Sequence, residues 1–263
     1  MPAEIASGVA SLSAEIRIFA DLDALSRAAA VEFVKASQNA TSERGRFMLA
    51  LSGGGTPGKL YHLLTRAPYR EQIDWATAQV FWGDERCVPP DDAQNNYKQA
   101  FDALLGKVSV PPQNIHRIRT ELDPEAAADD YERLLERYST IPLTWPRFDL
   151  ALLGLGEDGH TASLFPGSEV VALRPVLAVR GQYQDRPALR VTLTPVVFNS
   201  ARRIIFLVSG SDKARALADV LYGDYRPATL PAQRILPTEG DSICMLDRAA
   251  AAELPGNAKA KEE

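Results

Sequence analysis

The sequence predicts an α/β protein, a single domain built on a mostly parallel sheet flanked by helices. Three observations predict it. Short apolar runs rich in Val, Ile, Leu and Phe recur along the 263 residues, segments of helical spacing lie between them, and no linker or internal repeat divides the chain. Runs that are apolar throughout belong to strands buried on both faces, which is the condition of a parallel sheet.

Taken in order, IRIFA (16–20) reads as the first strand and residues 22–35 as the first helix. FMLAL (47–51) runs into the glycine cluster SGGGTP, after which the chain restarts as a helix. AQVFW (78–82) is the next strand, followed by helical spacing over 94–105 and 124–138, with Pro-marked loops at SVPPQNIH and STIPLTWPRF. FDLALLGL (148–155), LRVTLT (189–194), RIIFLVSG (203–210) and SICMLD (242–247) complete the strands, and residues 212–221 carry one more helix. The domain is expected to span residues 1–254, with the small and charged segment 255–263 a disordered tail.

Composition excludes several functions. Hydrophobic content of 46%, charged content of 24% and a net charge of -5 describe an ordinary globular chain, and the scattered Lys and Arg form no stripe for nucleic acid. No apolar run approaches a membrane span, and the N-terminus lacks the basic and apolar regions of a signal peptide, so a cytoplasmic location is expected. Cys87 and Cys244 have no metal or redox spacing and read as free thiols. A monomer is expected for one domain of this size, with a dimer as the alternative.

In such folds ligands bind beyond the carboxyl ends of the strands, so the loops there carry the information. Gly53-x-x-x-x-Gly58-Lys59 follows the nucleotide P-loop until its last position, where Leu60 replaces the Ser or Thr that would hold Mg²⁺. Pro57 removes one backbone donor from the would-be cradle and suits the first turn of a helix. What remains, from Ser52 through Gly53, Gly54 and Gly55 to Thr56, is either a cradle for a phosphate or sugar phosphate at a helix N-terminus, or a plain tight turn.

Asp84, Glu85 and Arg86 follow the strand ending near Trp82. Arg86 has the fork to clamp a phosphate and Asp84 can orient a sugar hydroxyl, while a surface ion-pair cluster is the competing reading. Cys87 beside them reads as a packed small residue. Gly154-x-Gly156-x-x-Gly159 spells a dinucleotide fingerprint, but Pro166 would interrupt the required helix and no second strand ends in a ribose-binding acid. The informative residue there is His160, in a glycine-rich turn after a buried strand and preceded by Asp158. Histidine titrates near 6.5, so it suits a general base at neutral pH. His62 and His116 lack ligand spacing to it, so no metal site is expected, and without a G-x-S-x-G elbow Ser163 has little claim as a nucleophile. Arg190 and Lys213 add two cations at strand ends. Lys213 on a first helical turn opposes the helix dipole, which an anion nearby would explain.

The motifs LALSGGGTP, WGDERCVPPDDAQNNY, DLALLGLGEDGHTASLFPGS, RVTLTPVVFNSARRIIFLVSGSDKA and PAQRI, in this order over nearly the whole chain, resemble the 6-phosphogluconolactonases of the pentose phosphate pathway. The resemblance implies a modified Rossmann, sugar-isomerase-like fold shared with glucosamine-6-phosphate deaminases, a sugar-phosphate lactone as substrate, and no metal or nucleotide cofactor. It further implies that His160 activates water for attack on the lactone carbonyl, with Asp158 shaping the turn and orienting it. Arg86, Arg190 and Lys213 would hold the 6-phosphate, the backbone from Gly53 to Thr56 would complete the pocket, and Asp84 and Asn96 would meet hydroxyls or support the loop. Asn95 stands where the family often has Ser, which removes any role of that hydroxyl. The rival deaminase turn continues toward Ala-Phe-Asn-Glu-Pro, whereas Thr161-Ala162-Ser163-Leu164-Phe165-Pro166 lacks the acid. A non-catalytic sugar-phosphate sensor, the other rival, would not need His160.

Overall fold

The computed structural model describes residues 14–168, 174–181, 186–256, 258 and 260–262. Among them the strands are β1 (Glu15–Phe19), β2 (Phe47–Leu51), β3 (Ala78–Trp82), β4 (Asp84–Arg86), β5 (Leu150–Leu153), β6 (Val176–Arg180), β7 (Leu189–Leu193), β8 (Arg203–Val208), β9 (Asp241–Asp247) and β10 (Ala260–Glu262). The helices are α1 (Leu22–Arg44), α2 (Gly55–Leu64), α3 (Asn96–Ala103), α4 (Pro124–Glu136), α5 (Pro195–Phe198) and α6 (Ala214–Tyr222). The main sheet has the order β10-β1-β9-β8-β5-β2-β3 and every pairing in it is parallel.

That order contains a reversal. From β2 the chain steps outward to β3, then returns across β2 to β5 and continues through β8 to β9 on the other side. The loops leaving β2 and β5 therefore diverge at the switch point, where a crevice opens beyond the carboxyl edge. All of β2 and β5 is buried, as continuous apolar runs in a parallel sheet should be. Around them pack Phe33, Phe47, Phe81, Trp82 and Phe148, with the buried Tyr131 hydroxyl accepting from Trp82 N (2.9 Å) and donating to Trp82 O (3.0 Å). Helix α1 continues past residue 35 until Gly45, whose φ of 69° provides a left-handed cap that few other residues adopt readily. At its start the Asp21 carboxylate accepts from Ala24 N (2.8 Å).

Two expectations change. LRVTLT is not a strand of the parallel sheet: as β7 it lies antiparallel between β4 and β6 in a separate three-stranded sheet. Its polar Arg190 and Thr192 alternate with Val191 and Leu193, the pattern of a two-faced antiparallel strand. The segment 255–263, expected to be disordered, contributes β10, which pairs with β1 and brings Lys261 Nζ onto the Glu15 carboxylate. Without it β1 would be a bare edge with unpaired backbone groups, a pairing demand that composition does not reveal. Positions 257, 259 and 263 of that segment lie outside the described residues, as does the N-terminal stretch 1–13 read for a signal peptide. Among the described residues no helix is long and apolar enough to cross a membrane.

Candidate active site

A pocket opens at the switch point, lined by the cradle Ser52–Thr56, by Asp84, Arg86 and Asn96, by Gly154 to Gly156, by His160 to Ala162, and by Phe165, Arg186, Arg190, Ser209 and Lys213. Eleven of the sequence candidates thus share one cavity, and the twelfth, Asp158, stands behind His160.

The cradle follows from β2 ending in glycines. Gly54, at φ 112°, caps α2 without any side-chain acceptor, so the first N–H groups of that helix have no capping partner from Gly54 and the positive end of the dipole faces the pocket. Gly53 is required by a close approach: a Cβ there would lie 1.8 Å from Asn96 Oδ1. The turn is anchored from below by the buried Tyr61 hydroxyl, which donates to Ser52 O (2.7 Å) and accepts from Ser52 N (3.2 Å).

The second wall is the small sheet. Antiparallel pairing sets Arg86 directly opposite Arg190 and Asp84 opposite Thr192. Both guanidiniums are buried, yet among the described residues neither has a carboxylate within ion-pair distance. Arg86 Nη1 donates to Gln94 O (2.6 Å) while its Nε has no acceptor, and Arg190 Nε donates to Pro187 O (2.5 Å). Burial pushes Arg190 down to about 10; Asp84 opposes this, and Arg86 and Arg186 add to it. Burial likewise lowers Arg86. Like charges facing each other across a ladder, with donors unspent, are destabilising until an anion joins them. Lys213 extends the positive wall from the turn before α6, its Nζ 2.8 Å from Asp212 Oδ2.

Asp84 and Asn96 are tied into this wall. Asn96 Nδ2 donates to Asp84 O (2.9 Å), and Ser163 Oγ donates to Asp84 Oδ2 (2.6 Å). Ser163 is therefore a buried support for Asp84, a role no local motif announces. Glu85, fully buried, accepts from the backbone N–H groups of Arg86 (2.7 Å), Asn96 (2.6 Å) and Tyr97 (2.8 Å), and so fixes the start of α3. Burial pushes its carboxyl from an ordinary 4.5 up to about 7, against the pull of those three donors. The folded state then holds this proton more tightly than the unfolded chain does. Stability from Glu85 should fall as pH rises from 4.5 through about 7 and level off above. In a series of melting temperatures against pH, Glu85→Gln should remove that slope and lower overall stability by about 1–3 kcal/mol, because one amide edge meets an N–H donor.

The third wall is the turn after β5. His160 Nδ1 lies 2.5 Å from Asp158 Oδ1, which also accepts from His160 N (3.1 Å). A carboxylate only accepts, so this contact favours the tautomer with its proton on Nδ1 and its lone pair on Nε2. Burial raises the Asp158 carboxyl, but the hydrogen bond and charge of His160 outweigh it and leave the group below its ordinary value. Phe165 packs against the imidazole, ring centroids 4.9 Å apart, and its face lies 5.8 Å from the Arg190 guanidinium carbon. One aromatic ring thereby spaces the imidazole from the cations. Gly156, read in sequence as a fingerprint letter, leaves room for this pair: a Cβ would sit 2.1 Å from His160 Nδ1 and 2.6 Å from Asp158 Oδ1. Gly156→Ala should displace the imidazole and lower kcat about 100-fold, with far less effect on KM, as steady-state kinetics would show.

The remaining candidates stay outside. His116 packs against Phe81 and Tyr138, with burial pushing it down to about 4, and neither it nor His62 lines the pocket. Burial, reinforced by Glu85, pushes the Cys87 thiol up to about 11, which keeps it a packed thiol at neutral pH. Among the described residues no group of three or more His, Cys, Asp or Glu has the arrangement of a metal site.

The protein is thus a doubly wound α/β protein whose switch-point pocket sets an imidazole–carboxylate pair beside buried cations. The sequence profile described as glucosamine-6-phosphate isomerases/6-phosphogluconolactonase matches residues 20–244, and the chain belongs to that family. It is 39% identical to a 6-phosphogluconolactonase of Nostoc sp. over 217 residues, covering 82% of this chain and 88% of that one. Against the 6-phosphogluconolactonase of Mycobacterium leprae identity is 38%, with coverage of 93% and 100%. The solved 6-phosphogluconolactonase from Trypanosoma cruzi superposes with a TM-score of 0.81 at 29% identity, covering 92% of this chain and 97% of that one.

Proposed function

We propose that the chain hydrolyses 6-phospho-D-glucono-1,5-lactone to 6-phospho-D-gluconate, with His160 as general base. The observation that carries this reading is the division of one pocket into an Asp158–His160 pair and, across Phe165, two buried guanidiniums without carboxylate partners. The names of the curated relatives support the substrate.

In the proposed reaction Arg86, Arg190 and Lys213 hold the 6-phosphate, with the N-terminus of α2 completing the cradle, and this fixes the ring with C1 toward His160. Nε2 takes a proton from water as its oxygen attacks the C1 carbonyl. Backbone N–H groups or a pocket cation stabilise the tetrahedral oxyanion. As the oxyanion collapses, the bond from C1 to the ring oxygen breaks, and the imidazolium returns its proton to that oxygen, leaving a hydroxyl and a carboxylic acid that ionises. Asp158 stays ionised throughout, orienting the ring and stabilising its cationic form. Asp84, supported by Ser163 and Asn96, would meet substrate hydroxyls. No cofactor enters the scheme, and we assign the activity to a cytoplasmic monomer.

The rival chemistry is amine release from glucosamine 6-phosphate. Side-by-side assays of acid release from the lactone and ammonia release from the amino sugar separate the two. Acid release alone, together with poor use of the lactone lacking its 6-phosphate, is the expected result. Ammonia production would reverse the assignment.

A further inference from the structure

A second cationic pocket lies at the opposite edge of the main sheet, about 15 Å away along strands of this length. It is lined by Arg44, Arg46, Arg147 and Arg202 around the buried Asp149, at the amino ends of β2, β5 and β8. Four guanidiniums thus surround one buried carboxylate, with the exposed Glu43 and Glu239 pairing Arg44 and Arg147 from outside.

Asp149 does not require so many. Its Oδ2 accepts from Met48 N (2.8 Å) and its Oδ1 from Arg44 Nε (2.9 Å), which satisfies the carboxylate and joins the starts of β2 and β5. Arg147 is held by Ser200 O (3.1 Å) and Glu239 O (3.3 Å), with Glu239 Oε2 2.9 Å from its Nη1. The other two keep donors to spare, although Arg202 is ion-paired with Asp149. Arg202 Nε is buried, 3.3 Å from Asp149 Oδ1 but without hydrogen-bond geometry, and Arg46 makes no hydrogen bond or ion pair among the described residues. Burial and then the neighbouring Arg44 and Arg147 lower the Arg202 guanidinium from its ordinary value, the mark of crowded cations.

We propose that this pocket is a second anion site, taking a phosphate group of a small polyanion. Planar guanidiniums converging on one cavity fit tetrahedral oxyanions with several oxygens, and their spare donors supply charge-assisted hydrogen bonds. The site shares no residue with the catalytic pocket.

The test is calorimetric titration of the full chain with pyrophosphate in phosphate-free buffer, using the wild type, Arg46→Ala, the Arg46→Ala/Arg202→Ala pair and Arg190→Ala. The catalytic pocket is expected to bind pyrophosphate as well, and Arg190→Ala weakens that component so that the new site is read apart from it. Binding should persist in Arg190→Ala, and each loss of an arginine at the new site should weaken that component about tenfold. Arg46 is exposed and bonded to nothing described, so its variant should fold normally and keep full lactone turnover. ADP in place of pyrophosphate distinguishes the sources of the phosphate. Equal affinity assigns a free oxyanion and tighter ADP binding a nucleotide tail, provided both are weakened by Arg46→Ala. Loss of all binding in Arg190→Ala, or an isotherm untouched by the Arg46 and Arg202 changes, would overturn the proposal.

Discussion

Replacing His160 by alanine is expected to lower kcat for lactone hydrolysis by about 10²- to 10⁴-fold while KM changes little. The reason lies in the division of labour. The imidazole is bonded to Asp158 and packed against Phe165, whereas the guanidiniums that would hold the phosphate are tied to Gln94 O and Pro187 O on other loops. Removing the ring therefore deletes the proton acceptor without touching the anion site. Circular dichroism and thermal melting should show an intact fold, since His160 is only partly buried in a turn whose Gly156 N–His160 O and Gly159 N–Gly156 O bonds are made by backbone. An undiminished kcat in a folded variant would assign the proton transfer to another group.

The second large effect belongs to Arg190. Arg190→Ala should raise KM about 10²- to 10³-fold, because a desolvated cation facing a phosphate is worth several kcal/mol and its loss removes the partner directly opposite Arg86. The same residue should act in the opposite direction on the free protein. Burial and the adjacent Arg86 and Arg186 disfavour its charge and outweigh Asp84 and Glu85, which favour it. Arg190→Met, which keeps the stem against Phe165 and removes the charge, should share the KM defect and raise the melting temperature of the ligand-free chain. Lowered stability with unchanged KM would make Arg190 a structural residue.

Much of this site was legible in the sequence because its parts stand at strand ends. The glycine cradle after FMLAL, the acidic and basic group after AQVFW, and Asp158 and His160 after the next strand each follow a run that could only be a buried strand. A parallel sheet necessarily brings such ends to one edge. What could not be read depends on pairings across long intervals. The opposition of Arg86 and Arg190 exists because β4 and β7 pair antiparallel in a second sheet, and β4 is too short to leave a periodic signal. Ser163 has little claim as a nucleophile by sequence, and its bond joins it to Asp84, 79 residues earlier in the chain. No local motif marks Phe165, whose ring meets both His160 and Arg190. Gly156 illustrates a letter pattern with a different cause, since its missing side chain accommodates an imidazole and a carboxylate.

The central claim is that this chain accelerates lactone opening by a His160-dependent route. Its most direct measurement is acid release from freshly generated 6-phosphogluconolactone in three parallel reactions: wild type, His160→Ala, and no protein, since the lactone also opens unaided. The account predicts wild-type turnover far above the spontaneous rate and a folded variant close to it. Equal rates for wild type and variant, or a wild type no faster than buffer, would contradict it.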